Sequence, residues 1–229
     1  MRKNKKQSAL KALSYGVLGF TAAYSARAET QITFGSFTLN NEAFPAGYGS
    51  NVSSSSADYT VSPGATGITG TPDLTAAWGP GFQTYIGWDG RGEVAQLDFG
   101  NVDPDTITFT LTPSSGFAVL VRSFDLDNWA GGGDADVSWI VSDSVGTLAS
   151  GTWTQPDAGG RTTINTGLGV GDVRPGEAVT VTFTLNTGSP SYIALDNLTF
   201  DQVPEPSTTA LALTGLALGA MAMRRRHRK

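Results

Sequence analysis

The chain has 229 residues, of which 39% are hydrophobic and only 15% are charged, so it has room for one ordinary domain with short appendages. It has no cysteine and its one histidine, His227, lies at the C-terminal end, which excludes disulfides, thiol chemistry, a Ser-His-Asp triad and a histidine-ligated metal from the body. Residues 29–203 contain four arginines, no lysine and 19 of the 20 carboxylates, which gives them a net charge of −15. This charge disfavours nucleic acid as a partner and suits cations or neutral ligands. The alternative is that the charge serves only to keep the surface soluble.

Residues 1–28 have the pattern of a secretory signal peptide. A basic start precedes a mostly apolar run over residues 12–23. This run is too short to cross a hydrocarbon core of ~30 Å as a stable helix. Ala26 and Ala28 are the small residues of a cleavage site, so the mature chain would begin at Glu29. We therefore predict export through the Sec translocon and cleavage by signal peptidase. The alternative is a disordered basic N-terminus.

Residues 29–202 are predicted to form an all-β domain, an antiparallel β-sandwich. Apolar residues alternate with threonine over residues 106–111 and 179–185, which is the period of a strand with one buried face. The other candidate strands are residues 31–39, 57–61, 93–99, 117–126, 136–142, 147–154, 161–165 and 191–200. About ten short strands separated by glycine-rich turns favour a jelly roll. Residues 40–92 are expected to form long loops.

The predicted loops contain aromatic residues that suggest glycan binding. Sugar rings stack on Trp and Tyr, while Asp, Asn and Gln accept hydrogen bonds from hydroxyl groups. The candidate residues are Trp78, Tyr85, Trp88 and Trp129, with Gln83, Asp89 and Asn128 nearby. Each of them could instead cover the end of the sandwich. Trp139 and Trp153 follow strand patterns and are expected in the core.

An acidic segment over residues 125–136 could bind Ca²⁺. Asp125 and Asp127 fall on one face of a strand, roughly 6.8 Å apart by strand rise, and Asn128 offers another oxygen. Oxygen ligands on a flexible, glycine-containing segment suit Ca²⁺. The segment nevertheless lacks the ligand pattern of an EF-hand, and a solvated acidic loop is the alternative.

Asp196 is a second candidate calcium ligand. It lies in an apolar row with Ala194, Leu198 and Phe200, where an unpaired charge would be costly to bury. A bound Ca²⁺, an arginine or backbone N–H groups could compensate the carboxylate. The alternatives are a structural aspartate bonded to a neighbouring loop, or burial of the opposite face of the strand.

No catalytic residue is predicted, and we expect that the protein is not an enzyme. Glycosidases need two carboxylates, and the body has enough acidic residues to supply them. However, the paired glutamates of sandwich glucanases are missing, since Glu93 is followed by Val94, Ala95 and Gln96. The alternative is a secreted glycoside hydrolase, or another polysaccharide-active enzyme, on the same fold.

Residues 203–229 form a tail in three parts. The first part is Val203, Pro204, Glu205, Pro206 and Ser207. Its prolines stop the preceding element, and its serine can cap a helix. Residues 208–223 carry no charge and would form a single helix about 24 Å long, short for a ~30 Å core. The basic residues 224–229 would stay in the cytoplasm and leave the acidic body outside.

This tail resembles the PEP-CTERM sorting signal of exported bacterial proteins. The resemblance covers residues 203–229 and implies recognition by an exosortase, a membrane-embedded cysteine protease that removes the tail. The motif residues are then substrate residues, and the body is released or attached at the cell surface. Proteins with this signal are associated with exopolysaccharide and biofilm matrix. The alternative, a simple membrane anchor, would need neither proline.

The body resembles the jelly-roll domains that precede this signal and, more distantly, carbohydrate-binding modules of galactose-binding-like fold. Residues 119–127 and 192–200 carry the resemblance. It implies a structural calcium ligand in the last strand, a role that falls on Asp196 alone.

The sequence therefore predicts a non-catalytic exported protein with polysaccharide and Ca²⁺ as candidate ligands. It would be held at the inner membrane in transit, through the C-terminal helix only, and then reside at the cell surface or outside the cell. A structural coat protein without a ligand is a further alternative.

Overall fold

The computed structural model describes residues 28–62, 74–90, 92–102, 105–129, 132–157, 160–186 and 192–204, which form twelve strands in two antiparallel sheets. The strands are β1 Ala28–Ile32, β2 Tyr59–Ser62, β3 Thr75–Trp78, β4 Phe82–Tyr85, β5 Val94–Asp98, β6 Thr106–Thr112, β7 Phe117–Asn128, β8 Ala135–Ser142, β9 Thr147–Gln155, β10 Arg161–Asn165, β11 Val179–Leu185 and β12 Tyr192–Pro204.

The strand order is that of a jelly roll. Strands β5 to β12 form a sheet ordered β5-β12-β7-β10 and a sheet ordered β6-β11-β8-β9, and the chain changes sheet at each connection except the one from β8 to β9. Strand β3 extends the second sheet to five strands, and β4, β1 and β2 extend the first to seven. The long strand β12 pairs with β5 along its first part and with β1 along its second. The predicted all-β, antiparallel sandwich is confirmed.

The core lies between the sheets and is rich in aromatic residues. Phe124 of the seven-stranded sheet meets Phe183 of the five-stranded sheet edge to face, with ring centroids 5.4 Å apart. Trp139 and Trp153 are buried in this core, as expected from their strand patterns. The threonines that alternate with the core residues of β6 and β11 face outward and pair across the strands, as in the Thr110–Thr180 contact of 3.0 Å.

Two predicted boundaries are wrong. Strand β1 occupies residues 28–32 instead of 31–39, because Phe34 adopts a left-handed backbone with a φ of 53° and turns the chain. Strands β3 and β4, Thr75–Trp78 and Phe82–Tyr85, form in a stretch where loops were predicted. Gly81 lies in the segment that connects β3 to β4 and has a φ of 89°. A Cβ at this position would lie 2.8 Å from the side chain of Ile107, so only glycine fits without a shift.

A β-bulge at Asn197 divides β12 into two parts with opposite alternation. Asn197 has a φ of 47°, and the register with β7 shifts between Asp196 and Thr199. Leu198 joins the main core, while Ala194 joins a separate cluster on the other side of the sheet. The prediction that Asp196 shares a face with Leu198 and Phe200 is therefore wrong, because the inserted residue reverses the alternation.

Candidate ligand-binding face

The outer face of the seven-stranded sheet brings together most of the predicted site residues. Residues directly opposite one another on neighbouring strands project from the same face. One such row crosses five strands and consists of Arg161, Asp127, Ala194, Gln96 and Gln83. The adjacent row contains Thr163, Asp125 and Asp196. The three predicted aspartates thus share one face, although Asp196 is distant in sequence from Asp125 and Asp127.

Asp196 is buried and compensated by protein groups. Its Oδ2 lies 2.8 Å from the Nη2 of Arg161, and its Oδ1 accepts a hydrogen bond of 2.7 Å from the backbone N–H of Asn197. Burial raises the pKa of Asp196 to about 6, and the nearby carboxylates of Asp125 and Asp127 add to the rise, although Arg161 and the Asn197 N–H oppose it. An arginine and a backbone N–H, two of the three predicted compensations, are therefore both present.

Asp125 accepts two short hydrogen bonds from neighbouring side chains. The hydroxyl of Thr163 donates to its Oδ1 at 2.6 Å, and the amide of Asn197 donates to its Oδ2 at 2.7 Å. Among the described residues, no three His, Asp or Glu side chains are grouped as metal ligands. Asp125 and Asp196 thus both have partners within the protein. Calcium binding stays a prediction.

Three of the four predicted aromatic residues meet on this face. Trp88 is 1% exposed and packs on Val94 and Ala194. Its ring lies edge to face with Trp129 at a centroid distance of 4.8 Å and with Tyr85 at 5.4 Å. Tyr85 and Trp129 are half-buried, so part of each ring reaches solvent, and we call these three residues the outer aromatic cluster.

Trp78 lies elsewhere, against the main core. Its ring packs between Phe44, Phe82 and Phe109 at centroid distances of 4.6 to 5.0 Å, and its indole N–H donates to the carbonyl of Tyr48 at 2.7 Å. This placement matches the alternative in which a loop aromatic covers the sandwich.

Sequence reasoning missed an exposed aromatic residue on the outer face, and it named only Gln83 of an amide network there. Tyr192 begins β12 two residues before Ala194, on the same face, and is 44% exposed. Gln83 donates to Asp98 at 3.0 Å and accepts from Gln96 at 3.1 Å. The available signal was Gln96, a polar residue in the middle of the otherwise apolar start of β5.

A polar trough of about 660 Å³ lies farther along the same face. Its lining residues are Glu29, Gln31, Arg122, Ser123, Asn165, Thr199 and Asp201. Arg122 directs Nε and Nη2 to one oxygen of Asp201, at 2.7 and 2.6 Å. Glu29 stands opposite Asp201 on the adjacent strand, and partial burial together with that carboxylate raises its pKa.

Residues 202–228 match the family model of the PEP-CTERM protein-sorting motif. The chain carries a PEP-CTERM sorting motif. The expected sorting signal is thereby confirmed, and it indicates an exported protein that is anchored at the membrane before processing. Val203 and Pro204 belong to β12, whereas Glu205, Pro206, Ser207 and the predicted helix lie outside the described residues.

The predicted signal peptide also lies outside the described residues, apart from Ala28 at the start of β1. Ala26 is among the residues that the structure does not describe. Within the described ranges, no helix is long and apolar enough to span a membrane.

Several solved structures are similar to the body at low sequence identity, but no curated protein matches the chain. A family 11 carbohydrate-binding module from Clostridium thermocellum, in complex with a mixed-linked tetrasaccharide, is 13% identical over 58% of this chain and 89% of its own, with a TM-score of 0.28. A cyclase from Fischerella is 13% identical over 58% of this chain and 76% of the cyclase, with a TM-score of 0.32. An isomalto-dextranase from Arthrobacter globiformis is 12% identical over 77% of this chain and 36% of the enzyme, with a TM-score of 0.34.

Proposed function

We propose that this is a non-catalytic, exported polysaccharide-binding protein of the cell surface or extracellular matrix, processed by an exosortase. The PEP-CTERM motif supports export and processing. The observation that carries the binding proposal is the meeting of partly exposed aromatic rings with hydrogen-bonding side chains on one sheet face. Those rings belong to Tyr85, Trp129 and Tyr192.

The chemistry of this face suits a neutral polysaccharide. The aromatic rings offer apolar surfaces to sugar C–H groups, and the half-buried Gln83 offers an amide that Asp98 and the buried Gln96 hold in place. An anionic polymer would be repelled by residues 29–203, which carry a net charge of −15. Each arginine in the described residues is already paired with an aspartate.

The length of the face favours a polymer over a single sugar. Tyr192 and Asp201 lie nine positions apart on β12, which corresponds to about 30 Å at a strand rise of 3.3 Å. A ligand that contacts both the outer aromatic cluster and the polar trough must therefore extend over several sugar units.

Affinity measurements with neutral and anionic polysaccharides test this function. We expect the mature protein to bind a neutral β-glucan or galactan, and Trp129→Ala to weaken binding about tenfold, which corresponds to ~1.4 kcal/mol. Ile140→Ala, an exposed apolar residue on the other sheet, is the matched control and should bind as wild type does. Binding that is equally strong in both variants, or confined to anionic polymers, contradicts the proposal.

A secreted glycoside hydrolase is the second candidate, and one observation favours it. Asp196, with its pKa raised to about 6, stands directly opposite Asp125, and two carboxyl groups in different environments are what acid–base hydrolysis requires. Both side chains are buried and bonded to neighbours, so we prefer the binding function. Release of reducing sugars by the wild type, abolished in Asp196→Asn, would favour the hydrolase.

A further inference from the structure

The chain enters and leaves the sandwich at one place. Strand β1 begins at Ala28 and β12 ends at Pro204, and the two strands are antiparallel neighbours. Ala28 stands opposite Gln202, which places their Cα atoms about 5 Å apart. The two ends of the body therefore lie side by side where β1 begins and β12 ends, at one edge of the body.

Very little chain separates this edge from the apolar part of the tail. The PEP-CTERM match starts at residue 202, inside β12, so no linker precedes the motif. From Pro204 to residue 208, where the uncharged stretch begins, a fully extended chain spans at most about 14 Å. A tail anchored in lipid therefore keeps this edge of the body close to the membrane surface.

The outer aromatic cluster lies at the other end of the same strand. Ala194, beneath the outer aromatic cluster, is ten positions before Pro204, or about 33 Å along β12. Glu29 and Asp201 of the polar trough lie at the near end. Since residues 29–203 have no lysine and 19 carboxylates, anionic headgroups repel the flanks of the body, which disfavours lying flat.

We propose that the uncut protein stands end-on on the membrane. The edge formed by Glu29 and Gln202–Pro204 faces the lipid, and the outer aromatic cluster faces away from it. The polar trough lies near the lipid until the tail is removed. This orientation rests on the proposed membrane anchoring of the tail, and it is independent of whether the face binds polysaccharide.

Energy transfer from two single cysteines to the membrane surface tests the orientation. The chain has no native cysteine, so Glu29→Cys and Tyr192→Cys each give one labelling site, about 30 Å apart along the β1–β12 pair. The uncut chain is collected from cells without exosortase. It is then bound to phosphatidylethanolamine–phosphatidylglycerol vesicles that carry an acceptor on the headgroup.

We expect transfer from position 29 to exceed transfer from position 192 several-fold. A flexible insert of twenty Gly and Ser residues after Ser207 is the control, and it should make the two transfers low and similar. Equal transfer from both positions without the insert overturns the proposal, as does failure of the uncut chain to bind vesicles. Unequal transfer in a protein that binds no glycan would leave the orientation standing and refute the proposed ligand.

Discussion

Replacing Asp196 by asparagine should change how stability depends on pH. Burial raises the pKa of Asp196 in the folded protein from 3.8 to about 6, so the folded state holds a proton that the unfolded state has already released. Wild type therefore loses stability as the pH rises from below 4 to above 6. A pKa difference of about two between the folded and unfolded states corresponds to a change of ~3 kcal/mol in the free energy of unfolding.

Asp196→Asn lacks this titration. The attraction between Arg161 and the ionised carboxylate already contributes to the pKa of about 6, so its loss adds no further pH dependence to the difference between variant and wild type. We therefore expect the free energy of unfolding of the variant, relative to wild type, to rise by about 3 kcal/mol between pH 3.5 and pH 7. Urea denaturation followed by tryptophan fluorescence measures it. Asp134→Asn, at an exposed position, is the control. A constant difference between variant and wild type across this range would refute the reasoning.

Three further outcomes are expected. Gly81→Ala should destabilise the fold by about 2–4 kcal/mol in urea titrations, because a Cβ at this left-handed position would also make close contacts. Gly176→Ala is the matched control. Gly176 has a φ of 74° with open space around it, so this substitution should cost only about 1–2 kcal/mol. If Asp196 and its neighbours bind Ca²⁺, the Tm rises with added Ca²⁺ and falls again with EDTA; an unchanged Tm contradicts calcium binding. Replacing residues 204–206 by alanine should leave the tail uncut, and mass spectrometry that finds the wild-type C-terminus in this variant contradicts exosortase recognition.

Local patterns were sufficient to predict the sandwich. The alternation of threonine with apolar residues in β6 and β11 depends only on the period of a strand, so it identified the buried face correctly. The core positions of Trp139 and Trp153 followed from the same rule.

The face of Asp196 could not be predicted in the same way. One residue in a left-handed conformation, Asn197, reverses which side chains point inward along the rest of β12. Strand alternation assumes a regular ladder, and the sequence around Asn197 has no glycine to mark a bulge. The wrong assignment for Leu198 and Phe200 has this single physical cause.

The outer aromatic cluster required information on strand pairing. Tyr85 of β4 and Trp129, which follows β7, are distant in sequence. They lie on one sheet because β12 pairs with both β5 and β7, and β5 in turn pairs with β4. Trp78 and Trp88 both occur near glycines, and composition alone does not separate the one that packs on the core from the one on the outer face. The pairing of Glu29 with Asp201 likewise depends on the register of the first and last strands.

The lysine-free body with its arginines engaged in ion pairs has a consequence for any crowded layer of this protein. The fixed negative charge of residues 29–203 is balanced by mobile cations, since the described arginines are already matched by Asp143, Asp196 and Asp201. Mobile counterions confined beside fixed charges draw in water, as in a polyelectrolyte gel. Densely packed bodies therefore swell in dilute medium and contract when salt is added.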